Sequence, residues 1–168
     1  RNGRLIIAAK GSPEKIFTLC SLSEEEKKSA AKQASAMSAE GLRVIAVAAG
    51  SPADDTDVPD KLTDCGLKLL GLVGLADPPR PSVKNDIAIC RRAGVRVVMI
   101  TGDNGDTASA IADKIGIPGN GHIITGNMLD AMSNDDLRRA VKDVSIFSRV
   151  IPEHKMRIVN ALQANGEI

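Results

Sequence analysis

The apolar positions of this chain follow two rhythms, one before residue 77 and one after it. Arg4 to Ala9 (RLIIAA) is a short apolar run opening after Asn2-Gly3, which predicts a strand. Ser12 can cap a helix with Pro13 at its first position, burying Ile16, Phe17 and Cys20. A second helix is predicted from Ser23, where Glu24, Glu25 and Glu26 complement the positive end of the dipole. It runs through Ala30, Ala34 and Met37 and stops at Gly41. Leu42 to Ala48 (LRVIAVA) alternates as a strand does, with Val44 and Ala46 inward or the opposite set. Ser51 to Pro59, rich in Pro and Asp, reads as a surface loop, and Leu67 to Ala76 as a strand loosened by Gly71 and Gly74.

Asp77-Pro78-Pro79-Arg80-Pro81 interrupts both rhythms, because prolines this dense continue neither a ladder nor a helix. A domain boundary is placed here, giving domains 1–76 and 77–168. The second part alternates helix and strand. Helices are expected over Ser82–Ala93 (Val83, Ile87 and Cys90 on one face), Asn104–Ile115, Ser133–Lys142 and Pro152–Ala164, with no more than a helical turn over Gly126–Ala131. Strands are expected over Val95–Ile100, His122–Thr125 and Ser145–Val150. This order predicts an α/β fold, a parallel sheet with helices on both sides. Val95–Ile100, apolar and β-branched, reads as a fully buried strand.

The turn after that strand, Thr101-Gly102-Asp103, carries the first candidate chemistry. A strand, a Gly turn and a helix N-terminus gather backbone N–H groups towards an anion. Thr101 and Gly102 could then hold a phosphoryl oxygen. The alternative is an ordinary turn in which Asp103 or Asn104 caps the helix.

Composition narrows the classes. The net charge of +1 implies neither a polyanion nor a membrane surface as partner. With two Phe, no Trp and no Tyr, the core must be aliphatic, and a base-stacking nucleic-acid platform is disfavoured. Cys20, Cys65 and Cys90 have no metal-ligand spacing and read as reduced thiols. No apolar run reaches membrane-spanning length, and no signal peptide is expected. The chain opens on Arg1 and closes on Gly166-Glu167-Ile168, and is expected to be a piece of a longer protein.

Four segments in one order resemble the cytoplasmic part of a P-type cation-transporting ATPase. They are KGSPE (Lys10–Glu14), DPPRPSV (Asp77–Val83), MITGDNGDTASAIADKIGI (Met99–Ile117) and FSRVIPEHKMRIVNALQANGE (Phe147–Glu167). The last two are most similar to the calcium-pump group. The resemblance implies part of a nucleotide-binding (N) domain of α+β type over 1–76. Over 77–168 it implies part of a phosphorylation (P) domain with a haloacid-dehalogenase-like, Rossmann-type sheet. It implies ATP as ligand, Mg²⁺ in the parent enzyme with ligands outside this chain, the remainder of the ATPase with its membrane domain as partner, and the cytoplasmic side of a membrane as location.

Roles carry over by position. Lys10 matches the lysine of the adenosine pocket, and Arg43 an arginine reaching the nucleotide phosphates, where a guanidinium suits bidentate contact. Asp77 and Arg80 match the hinge between the two domains, where they would also contact the nucleotide. Thr101 and Gly102 would hold the transferred phosphoryl group, with Asp103 reaching towards nucleotide. Lys155 matches the lysine that neutralises phosphoryl charge, and Arg149 an arginine near the nucleotide phosphates. A cation in a helix's first turn opposes the dipole, which favours function over a merely solvated lysine at 155.

The departures matter equally. The signature DKTGT, with the aspartate that becomes phosphorylated, is absent from the chain, and so is TGDGVND, which supplies the Mg²⁺ ligand. Phe17 reads as core rather than as the aromatic that stacks on adenine. The chain alone is therefore expected to be inactive. A catalytically inactive nucleotide-binding or regulatory module, and a soluble phosphatase of the same superfamily, are the other readings. Without its neighbouring strands, Val97–Ile100 is expected to expose a strand edge and self-associate, unless Arg4–Ala9 folds across to fill the place.

Overall fold

A computed structural model describes residues 5–52, 59–119 and 121–167. The tip of the Ser51–Pro59 loop and the Asn2-Gly3 turn lie outside these residues. The chain divides into two compact units, Arg1–Ser38 with Leu42–Ala76, and Ala39–Gly41 with Asp77–Ile168.

The first unit is built on an antiparallel sheet of order β1-β2-β3, formed by β1 (Ile7–Gly11), β2 (Arg43–Gly50) and β3 (Lys68–Leu75). Helices α1 (Pro13–Leu19) and α2 (Glu24–Ala39) complete it. Alternation along β2 settles the facing left open by the sequence: Val44, Ala46 and Ala48 are buried and Arg43 is exposed. Small residues at Ala46 and Ala48 let α1 approach closely, and Ile16, Phe17 and Cys20 fill that space with Cys65 and Leu67. Burial pushes the Cys20 thiol above its ordinary pKa, so it stays protonated. The α2 N-terminus carries a full capping box: the Glu26 amide donates to Ser23 Oγ at 3.2 Å, and the Ser23 amide to Glu26 Oε2 at 2.8 Å. Between Val47 and Ala48 the register with β3 shifts beside Gly71, leaving Leu70 outside the ladder and exposed.

The second unit is a parallel sheet of order β4-β6-β5, with β4 (Met99–Ile100), β5 (Ile123–Thr125) and β6 (Ile146–Ser148). Around it lie α3 (Val83–Arg92), α4 (Gly105–Ile115), α5 (Gly126–Ala131), α6 (Asn134–Ala140) and α7 (Pro152–Ala164). Two separate clusters show that both faces are covered. Ile87, Ala108, Ala112, Ile115 and Ile117 pack with Ile146, while Leu129, Leu137, Val141, Ile158 and Ala161 pack with Phe147.

The strand expected over Val95–Ile100 differs. Only Met99 and Ile100 pair, β4 is an edge strand among the described residues, and Val95 is 54% exposed. Arg96 gives the reason. Its guanidinium donates to the carbonyls of Val141 and Val144 at 2.7 Å each and ion-pairs with Glu167 at 2.8 Å. That anchorage satisfies carbonyls of the turn that follows α6, and the backbone before Met99 has no ladder partner among the described residues. The N-terminal strand pairs with β2 in the first unit and does not fill the β4 edge.

Candidate phosphoryl and nucleotide sites

In the second unit the candidate residues gather at the C-terminal ends of β4 and β6, where open parallel sheets place their ligands. Thr101 continues the ladder by donating its amide to the Phe147 carbonyl at 2.9 Å. The two following loops then lock together: the Val150 amide donates to the Thr101 carbonyl at 3.0 Å and the Arg149 amide to the Asp103 carbonyl at 2.9 Å. The Thr101 hydroxyl donates to Asp103 Oδ2 at 3.0 Å and accepts from the Asp103 amide at 3.1 Å. This small ring fixes the turn. Gly102 is exposed, and a side chain built there would meet only the Val150 carbonyl at 4.0 Å, so its backbone is open to an approaching group. Of the two candidate caps, Asn104 takes the role, accepting the Thr107 amide at 2.9 Å, while Asp103 is held by Thr101.

The second loop is held in a less common conformation. Arg149 is the only non-glycine with positive φ among the described residues, at 54°. Gly126, the first residue of α5, lies against it: a Cβ there would stand 2.2 Å from the Arg149 carbonyl oxygen and 3.2 Å from the His154 ring. Pro152 opens α7 after this turn, and Lys155 follows in its first turn, with its amide donating to the Ile151 carbonyl at 3.2 Å. The Lys155 ammonium is exposed and has no partner among the described residues. Directly under the start of α4, Ser148 Oγ is fully buried with no hydrogen-bond partner among the described residues, 3.7 Å from where a Gly105 side chain would begin.

In the first unit Lys10 and Arg43 share a sheet face. Lys10 is opposite Val47, and Arg43, Ile45 and Val47 alternate onto the same side of β2, away from the buried Val44, Ala46 and Ala48. Their β3 partners on that side are Leu75, Val73 and Gly71, and Leu75 and Val73 are 44% and 45% exposed. The result is a shallow apolar floor with a cation at each end, on the face opposite α1. Asp77 and Arg80 stand on the exposed Pro-rich segment, where the Arg80 carbonyl accepts the Val83 amide at 3.1 Å. Thr101, Gly102, Asp103 and Arg149 thus form one locked turn pair with Lys155 one helical turn on, while Lys10 and Arg43 form a separate pair on the first unit's sheet. Sequence reasoning missed Gly126, Asp130 and His154, which support that turn pair. The signal for Gly126 was a glycine placed at a helix start, and for His154 a histidine at the third position of a helix.

Residues 1–82 match the family P-type ATPase, cytoplasmic domain N. The calcium-transporting ATPase of Bacillus subtilis is 45% identical over 134 residues, covering 79% of this chain and 15% of that protein. The chain belongs to the P-type ATPase family. Calcium-transporting ATPase 1 of Bacillus cereus is 40% identical over 171 residues, or 95% of this chain and 19% of the relative. The probable cation-transporting ATPase F of Mycobacterium tuberculosis H37Rv is 37% identical over 177 residues, or 97% and 20%. The chain therefore spans about 15–20% of the length of these P-type ATPase relatives. Among the described residues no helix is long and apolar enough to cross a membrane.

Proposed function

We propose that this chain supplies nucleotide contacts and the phosphoryl-site turn of an ATP-driven cation pump, with calcium the cation its relatives' names favour. The observation that carries the reading is the locked pair of turns at one sheet end. Val150 and Arg149 amides donate to the carbonyls of Thr101 and Asp103, which sets the Thr101-Gly102 turn and the start of α7 beside each other. Phosphoryl transfer asks for this kind of fixed positioning and charge compensation. In the proposed step an aspartate carboxylate outside this chain attacks the γ-phosphorus, the bond to the β-bridging oxygen breaks, and ADP leaves. Thr101 and the Gly102 amide hold the transferred group's oxygens, and Lys155 offsets their charge. Asp103 and Arg149 stand towards the nucleotide. On the first unit, the floor of Ile45, Val47 and Val73 suits the adenosine, Lys10 its edge, and Arg43 its phosphates.

The same reading takes 1–76 as part of the nucleotide domain and 77–168 as part of a haloacid-dehalogenase-like phosphorylation domain, with Asp77 and Arg80 in the hinge and the whole on the cytoplasmic side of the membrane. Mg²⁺ is read as held by ligands outside this chain; among the described residues no group of three or more carboxylates, imidazoles or thiols stands where it could share an ion. The edge position of β4 supports self-association of the isolated chain by strand pairing. Sedimentation of the chain and of its Val98→Lys variant tests this, the variant being expected as monomer.

The test of function is made in the ATPase that carries this chain. Lys155→Ala and Thr101→Ala are expected to slow phosphoenzyme formation by about a hundredfold or more, as removal of a charge-stabilising donor does. Unchanged rates in both would overturn the reading.

A further inference from the structure

His154 is buried in the first turn of α7, its side chain 6% exposed, while its partner Asp130 is 66% exposed. Core packing alone does not call for an imidazole there, and both its ring nitrogens are engaged. Nε2 lies 2.8 Å from Asp130 Oδ1, and the Ile151 amide donates to Nδ1 at 3.4 Å. The second bond determines the tautomer: Nδ1 must be unprotonated to accept, so the proton of the neutral ring is on Nε2 and is donated to Asp130.

We propose that Asp130 and His154 are positioning residues of the phosphoryl site, fixing the turn from Arg149 to α7 and so the stance of Lys155. This rests on the function proposed above. Three observations support it. Ile151 occupies the N-cap position of α7 with no side-chain acceptor, so His154 supplies half of a capping box from inside the helix. Asp130 lies four residues after Gly126 on α5, and residues so spaced share a helix face. Helix α5 therefore grips the turn twice, with Gly126 against the Arg149 carbonyl and the His154 ring, and with Asp130 on Nε2. Finally, Lys155 directly follows His154, so rotation of the imidazole out of its place turns the start of the helix that carries the lysine. Catalysis is sensitive to such displacements even when the displaced group is far from the bond being broken.

The experiment uses the ATPase that carries this chain. Asp130→Ala is expected to slow phosphoenzyme formation by about tenfold or more, with the KM for ATP changed by less than about twofold. Asp130→Asn is expected to restore the rate, because its amide oxygen still accepts from Nε2. Asp130 is exposed, so its substitution leaves the core intact, and proteolytic resistance of each variant is expected to match the parent. A wild-type rate in Asp130→Ala, or equal slowing in both variants, would overturn the proposal. Lys155→Ala in the same assay tests the underlying reading separately. Imidazole ¹⁵N shifts of the chain itself give a readout free of catalysis: protonated Nε2 and bare Nδ1 at neutral pH are expected, and the opposite tautomer would overturn the pair whatever Lys155 does.

Discussion

The two sheets differ in how many of their faces are buried, and the candidate chemistry follows that difference. The antiparallel sheet of the first unit packs α1 on one face and leaves Lys10, Ile45, Val73 and Leu75 on the other. The parallel sheet of the second unit is covered on both faces, with Ile146 in one cluster and Phe147 in the other. A one-sided sheet offers a broad surface on which a flat ligand can lie. A two-sided sheet has only its ends to offer, and there the chain places Thr101, Gly102 and the start of α7. Breadth suits binding and a sheet end suits positioning, which is the division of roles proposed for the two units.

Phe147→Ala is expected to have the largest effect. Phe147 is fully buried in the central strand, so its truncation should cost about 3–5 kcal/mol in the second unit. Val73→Ala on the first unit's open face should cost less than about 0.5 kcal/mol. Urea unfolding followed by amide resonances of each unit separates the two, and comparable losses would break the contrast.

Close approach is expected to matter next, and equally in both units. A Cβ at Gly126 would stand 2.2 Å from the Arg149 carbonyl oxygen, and one at Gly50 2.3 Å from that of Cys65. Gly126→Ala and Gly50→Ala should each cost about 1–3 kcal/mol, confined to the unit that carries the change. Loss spreading to the other unit would show that the two do not fold separately.

Ser148→Ala should go the other way, gaining up to about 1 kcal/mol, because it removes a buried hydroxyl with no partner among the described residues. A loss instead would mean that the hydroxyl is satisfied in solution.

The smallest effect is expected from acid. Hydrogen bonds from the Ser23 amide and hydroxyl hold Glu26 below the ordinary glutamate range, and those from Ser133 and Arg139 hold Asp136 below that of aspartate. Both groups have a lower pKa folded than unfolded. Their contribution is present above the unfolded value and fades as pH falls through the folded one. Both groups are exposed, so amide exchange should show only fraying of the first turns of α2 and α6 in that acid range. Fraying at neutral pH would contradict the capping geometry.

Much of this was legible in the sequence because local chemistry decided it. Pro152 at one helix start, Ser23 with its following glutamates at another and Gly116 at a helix end each act within a few residues. The strand over Val95–Ile100 was overread because its apolar pattern could not reveal that Arg96 reaches Val141 and Val144, about half the domain further along the chain. The facing of β2 was open for a similar reason: both sets of alternate residues are apolar enough to bury, and α1 decides between them. At the site, Thr101, Gly102 and Lys155 stood out by residue type and motif. Gly126 and Asp130 did not, since what marks them is contact with Arg149 and His154 across the fold.

The proposed contrast between a binding face and a positioning end is tested most directly by titrating the ¹⁵N-labelled chain with adenosine and, separately, with inorganic phosphate. Adenosine, having no phosphate, is expected to shift Lys10, Ile45 and Val47 and to leave the second unit unmoved. Phosphate is expected to shift Gly102 and Lys155. Adenosine shifts centred on the second unit, or none on the open face at millimolar ligand, would contradict the account.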